Sequence, residues 1–164
     1  MGQIQDVFNS NEKYAKDYRY SHLKSKPSKK IAVLACMDAR LLIEDILGLN
    51  IGEANIIRNA GGIATEDAIR SLIVSHELLG TEEFIIINHT DCGMQKFSDE
   101  HIRNNIKQKY QKDASELQFY TFTNLEENVR EQVEKIKTNP FIPKNIPVYG
   151  CIYDTQTGRL NRIV

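Results

Sequence analysis

The chain has 164 residues, 41% of them hydrophobic and 26% charged, the balance of one soluble globular domain with enough apolar content to bury a core. Its 21 Lys and Arg against 22 Asp and Glu leave a formal net charge of -1, so no global field favours nucleic acid as a partner. No apolar segment approaches the roughly 18 residues that a membrane span needs, and the polar start MGQIQDVFNS lacks signal-peptide character, which makes the cytoplasm the expected compartment.

Residues 3–20 set Ile4, Val7, Phe8, Tyr14 and Tyr18 near helical spacing on a polar background, the pattern of a helix that lies on the surface or faces a partner. After the break KPSKK come a strand KIAVLAC, a short helix LLIEDILGL and a strand ANIIRN that runs into AGG. From Thr65 to Leu79, one helix face carries Ile69, Leu72, Ile73, His76 and Leu79, with Glu66 and Asp67 in the first turn and Gly80 past the end. EEFIIINHT reads as a strand buried on both faces, as in a parallel sheet. A polar helical stretch follows over roughly 94–112, then a helix opening at TNLE, where Thr123 and Glu126 are placed for a capping box. The strand IPVYGCIYD, the turn DTQTG and a last strand RLNRIV complete the chain. The order predicts an α/β fold over 1–164 as one domain: a mainly parallel, Rossmann-like central sheet flanked by helices, with an antiparallel last strand.

Three cysteines at 36, 92 and 151 make a poor disulfide framework in such a chain, and thiol or metal chemistry is the better reading. In LACMDAR, Cys36, Asp38 and Arg40 alternate at the end of an apolar run. In extended backbone they share a face, about 7 Å apart in steps. NHTDCGM places His89 three residues before Cys92, after the third strand. Both clusters fall at carboxyl ends of strands, where ligands collect in doubly wound sheets. Cys36, His89 and Cys92 form a zinc ligand set that leaves a fourth position for water, the mark of a catalytic site. Arg40 offers a planar fork that can hold the Asp38 carboxylate in two hydrogen bonds. It would then decide whether Asp38 binds the metal or stands beside metal-bound water and accepts its hydrogen bond.

CMDAR at 36–40, RNAGG at 58–62 and HTDCG at 89–93 together resemble the β-class carbonic anhydrases, in particular their short, archaeal-type branch. The resemblance implies a zinc enzyme interconverting CO₂ and bicarbonate by attack of zinc-bound hydroxide, with one Zn²⁺ per chain on Cys36, His89 and Cys92. It implies Asp38 and Arg40 as the dyad gating the fourth position, and Gly61 and Gly62 as backbone close to substrate. A homodimer or an assembly of dimers is implied too, with the N-terminal helix lying over the partner. Two positions depart from the pattern. Asn88 stands where many relatives carry a second histidine, and the chain has no Trp, so a noncatalytic bicarbonate site is not carried over.

Other readings compete. A thiol phosphatase or sulfurtransferase needs an Arg six positions after its Cys, and Leu42 stands there. A zinc dehydrogenase needs a Gly-X-Gly-X-X-Gly after a strand, which is missing. Hydrolysis of carbonyl sulfide or carbon disulfide uses the same ligands, and a closed structural zinc site with Asp38 as fourth ligand makes a non-enzymatic protein. Ile63, Leu41 and Met37 are candidate pocket-lining residues by proximity alone. His76 reads as a packed histidine, Cys151 as a small buried hydrophobe, and His22 and His101 as surface residues.

Overall fold

IAVLAC carries no charged side chain and ends in the first cysteine, and as strand β1 (Ile31–Cys36) it is buried over all but its first residue. That burial follows from its place in the sheet, whose order is β2-β1-β3-β4-β5. The computed structural model describes residues 2–164. The other strands are β2 (Ala54–Asn59), β3 (Glu83–His89), β4 (Val148–Tyr153) and β5 (Leu160–Arg162). The first four pair in parallel and β5 runs antiparallel to β4, as the sequence pattern predicts.

Among the described residues, five α-helices accompany the sheet: α1 (Gln3–Lys16), α2 (Ile43–Leu47), α3 (Glu66–Leu79), α4 (Asp99–Tyr110) and α5 (Leu125–Lys137). On one face, Leu72 of α3 and Val133 and Ile136 of α5 close over Leu34, Phe84, Ile86 and Val148. On the other, Leu41, the short α2, and half-buried Met94 and Phe122 pack on Val33, Ala35, Ile87 and Cys151, and Ile31, Ile56 and Ile85 stay half-buried. α1 buries none of its residues in its own chain.

Three local expectations change. α5 is capped not by Thr123 but by Asn124, whose side chain accepts from the amides of Glu126 and Glu127. Two cap-forming residues are adjacent there, and the helix starts one residue later, at Leu125, so that Asn124 meets its second and third amides. The stretch 94–112 divides into a 3-10 turn, Gly93–Gln95, and α4, because Ser98 accepts from the amide of His101 and starts a new helix. The N-terminal helix stops at Lys16 rather than near residue 20.

The chain moves from β1 to β2 on one side and returns through β3 on the other, so the connections that leave the carboxyl ends of the adjacent strands β1 and β3 part to opposite faces of the sheet. Such a switch point leaves a crevice in an open α/β sheet. Cys36 ends β1 and His89 ends β3.

Candidate metal centre

The Sγ atoms of Cys36 and Cys92 and a ring nitrogen of His89 lie within 4.8 Å of one another, and all three residues are buried. His89 is fully enclosed. Its Nδ1 faces the carbonyl of Thr90 at 2.9 Å, so Nδ1 carries the hydrogen and Nε2 turns a lone pair inward. That Nε2 has no hydrogen-bond partner among the described residues. A buried acceptor without a partner is costly, and it is aimed at two sulfurs.

The sulfurs repeat the message. The Cys36 thiol is pushed well down, chiefly because Cys92 hydrogen-bonds to its thiolate; burial opposes this, and the amides of Asp38 and Gly61 assist. Cys92 is pushed far up by the same pairing. Burial drives His89 toward its neutral form, and the Cys36 thiolate beside it outweighs this and raises its pKa. The cluster draws in positive charge. Two thiolates and a neutral imidazole fit Zn²⁺ in ligand type and number, with one position left over. A divalent cation would ionise both thiols and occupy the lone pair of Nε2.

Asp38 and Arg40 meet by a different route from the one the sequence suggests. The strand stops at Cys36 and the backbone turns, with the amide of Leu41 donating to the carbonyl of Asp38. Asp38 Oδ1 accepts from the Arg40 amide at 2.9 Å, a local side-chain turn. The turn folds Arg40 back, so that Nε and Nη2 each donate at 2.9 Å to Asp38. This fork holds the Asp38 carboxyl well below the usual carboxylate range. Asp38 Oδ2 lies 3.8 Å from His89 Nε2, close to the centre yet committed to the guanidinium.

Gly61 and Gly62 both have positive φ, and a Cβ on Gly62 would meet Asn88 Nδ2 at 2.8 Å and the backbone of Cys36 and Ile87 at 3.0 Å. The loop therefore lies against the strand ends that carry the ligands, which only glycine allows. Asn88 fixes it there. Its Nδ2 donates to the carbonyls of Gly61 and Gly62 at 2.8 and 3.3 Å, and its Oδ1 accepts from Asn128. Asn128 in turn accepts from Gln132, which accepts from the amide of Ala64. Asn88 is thus a buried hub between loop and α5.

A family model described as carbonic anhydrase matches residues 31–160. Beta-carbonic anhydrase 1 of Mycobacterium tuberculosis (strain ATCC 25618 / H37Rv) is 40% identical over 161 residues, 96% of either chain. The chain belongs to the β-carbonic anhydrase family. The crystal structure of carbonic anhydrase from Streptococcus mutans shares its fold with a TM-score of 0.95 at 40% identity, covering 100% of this chain and 99% of that one. Carbon disulfide hydrolase of Acidithiobacillus thiooxidans is 36% identical over 152 residues, 81% of this chain and 76% of its own.

Around the three ligand-type residues stand two further charges that the sequence pattern left unassigned. Arg58 donates to the carbonyls of Cys36 at 3.0 Å and Asp38 at 2.6 Å, clamping the backbone on both sides of Met37. Asp91 accepts from Arg40. Both lie inside motifs the sequence singles out, RNAGG and HTDCG, and a charged residue there was the available signal. Elsewhere the expectations hold. Cys151 is buried among apolar residues of β1 and β3, His76 is half-buried with Nδ1 2.7 Å from the carbonyl of Thr81, and His22 and His101 are exposed.

Proposed function

We propose that this chain hydrates CO₂ reversibly to bicarbonate and a proton, with one Zn²⁺ per chain held by Cys36, His89 and Cys92. The observation that carries this reading is the inward lone pair of His89 Nε2, enclosed with two cysteine sulfurs beside a carboxylate that Arg40 keeps occupied. Bound there, zinc supplies the Lewis acidity that brings a water's ionisation near neutral pH.

The chain's own groups do the rest. Asp38 is ionised and pinned by Arg40; its Oδ1 is filled by the Arg40 amide and Nε, and Oδ2, which accepts from Nη2 alone, keeps a lone pair for a hydrogen bond from the attacking water, which orients it. Gly61 and Gly62 bring backbone toward the substrate. CO₂ has no charge to grip, so its niche is apolar. Ile63 and Leu41 are buried near the centre, whereas Met37 is exposed in the single chain.

The functional unit we infer is one domain over 1–164, working in the cytoplasm as a homodimer or an assembly of dimers. Two features support the dimer. α1 exposes Ile4, Val7 and Phe8 at 66%, 59% and 59%, and the thinly covered sheet face carries an apolar cleft of about 290 Å³ lined by Ile31, Leu47 and Ile85. No helix of the described residues is long and apolar enough to cross a membrane. A second substrate reading, carbon disulfide, is supported by the 36% identity to a carbon disulfide hydrolase; the higher identity and fuller coverage of the carbonic anhydrases favour CO₂.

Stopped-flow CO₂ hydration on zinc-loaded protein tests this. Turnover that rises with pH between about 6.5 and 9 and vanishes in Cys92→Ala is the expected result. Absence of turnover with zinc bound defeats the reading, and sulfide release from carbon disulfide by the same sample would move the assignment to that substrate.

A further inference from the structure

Asp91 lies between two ligand-type residues, His89 and Cys92, and its role is not explained by either. It adopts the left-handed conformation, φ 55, which is uncommon outside glycine and which Asp and Asn tolerate best. That conformation turns both its carboxylate and its carbonyl to the same neighbour. Arg40 Nη1 donates to Asp91 Oδ2 at 2.8 Å, and Arg40 Nη2 donates to the Asp91 carbonyl at 3.1 Å. The remaining oxygen, Oδ1, lies 2.7 Å from Lys96 Nζ, at the end of the 3-10 turn.

The guanidinium is therefore held on two edges. One edge, Nε with Nη2, grips Asp38; the other is fastened to Asp91 across 51 positions of sequence. The four charges alternate: Lys96, Asp91, Arg40, Asp38. A free arginine side chain on a turn has several rotatable bonds and could follow Asp38 wherever that carboxylate swings. Fastened at Asp91, it stays where it is, and Asp38 can approach the metal only by giving up both bonds of the fork.

We propose that Asp91 is a positioning residue: it anchors Arg40 so that Asp38 is kept off the metal's fourth position, with Lys96 as the outer brace. The inference rests on the zinc site proposed above. It concerns geometry, in which the carboxylate of Asp91 serves as a fixed acceptor for Nη1.

The predicted consequences separate this role from general support of the loop. Asp91→Gly keeps the backbone conformation and the carbonyl contact but removes the acceptor. Asp91→Asn keeps both the conformation and an acceptor oxygen. Cobalt(II)-reconstituted protein is titrated with azide near neutral pH and followed in its visible spectrum, since azide enters the fourth position only when Asp38 is away from it.

Azide binding about tenfold weaker in Asp91→Gly, the equivalent of one hydrogen bond to a charged group, is expected at full cobalt content. Asp91→Asn should recover most of the loss, and Lys96→Ala should shift binding in the same direction by less. Equal azide affinity in the parent and Asp91→Gly overturns the anchor. So does azide loss that merely follows cobalt loss, because Asp91 then acts on the ligands rather than on Arg40. A parent that takes up cobalt and binds no azide overturns the open site itself and the anchor with it, whereas an azide-binding parent beside an equally competent Asp91→Gly overturns the anchor alone.

Discussion

Asp38 is two residues past the end of β1, and the turn it forms with the Arg40 amide decides its neighbours. The fork from Arg40 is the largest influence on its ionisation and holds it below the usual range, so Asp38 stays charged throughout the pH range of activity. Arg40→Ala should let its pKa return upward toward the ordinary value near 3.9, still far below neutral. The variant's defect is then a free carboxylate rather than a protonated one. CO₂ hydration per bound zinc is expected to fall by about a hundredfold near pH 7, with metal content unchanged; a variant that lost its zinc would instead make Arg40 a scaffold for the ligands. At this scale the sequence revealed residue types and hid pairings. Cys36, His89 and Cys92 were legible because strand ends and donor chemistry limit the choices. Asp91 and Arg58 were not, because their partners lie 51 and 22 positions away and no local period reports such contacts. Asn88 was noticed as a departure, yet its place as a hub depends on α5, a helix far along the chain.

Among the elements, α4 shows how one side chain can fasten a polar helix that buries none of its residues. Asp99, in the first turn of α4, accepts from the amides of Phe119 and Thr121 and from the Thr121 hydroxyl. Burial raises its pKa, but these bonds prevail and bring it to about 2. A depressed folded-state pKa means stability that is complete above the unfolded value near 3.9 and is lost as pH falls through the folded value. Asp99→Asn should therefore lower unfolding free energy at neutral pH by about 1 kcal/mol, and should flatten the stability profile between pH 4 and 2. Denaturant unfolding at several pH values reads both effects; a parallel shift of the whole profile would rule out the ionic role. The elements themselves were legible because hydrophobic period distinguishes strands buried on both faces from amphipathic helices. Their ends were less so. Thr65, where the sequence pattern begins α3, proves to be its cap, while at Thr123 and Asn124 two competent caps are adjacent and the pattern alone does not choose between them.

At the scale of the whole molecule, the two faces of the sheet are unequal. α3 and α5 close one, and the other has little beyond α2. The helix that could supply the missing cover, α1, buries none of its residues in its own chain. In the homodimer proposed above, a second copy would satisfy both. Phe8→Asp places a charge in the apolar stripe of α1 and should convert that proposed dimer to monomer at micromolar concentration, seen by sedimentation equilibrium. A monomeric parent protein would remove the basis for that expectation. The sequence signalled the stripe through its helical spacing, but a single chain's pattern does not say what the stripe covers.

The strand order also fixes when the centre can exist. β1 and β3 are adjacent in the sheet, yet the whole of β2 and α3 lies between them in sequence. An unfolded chain holds Cys36 apart from His89 and Cys92, and only non-local strand pairing, a late and entropically slow event, brings them into one cluster. A cation arriving early would find isolated thiols rather than a site. Metal capture at the proposed site would then be a latch that closes after the sheet has formed: it would slow the return to the unfolded state without guiding the descent from it.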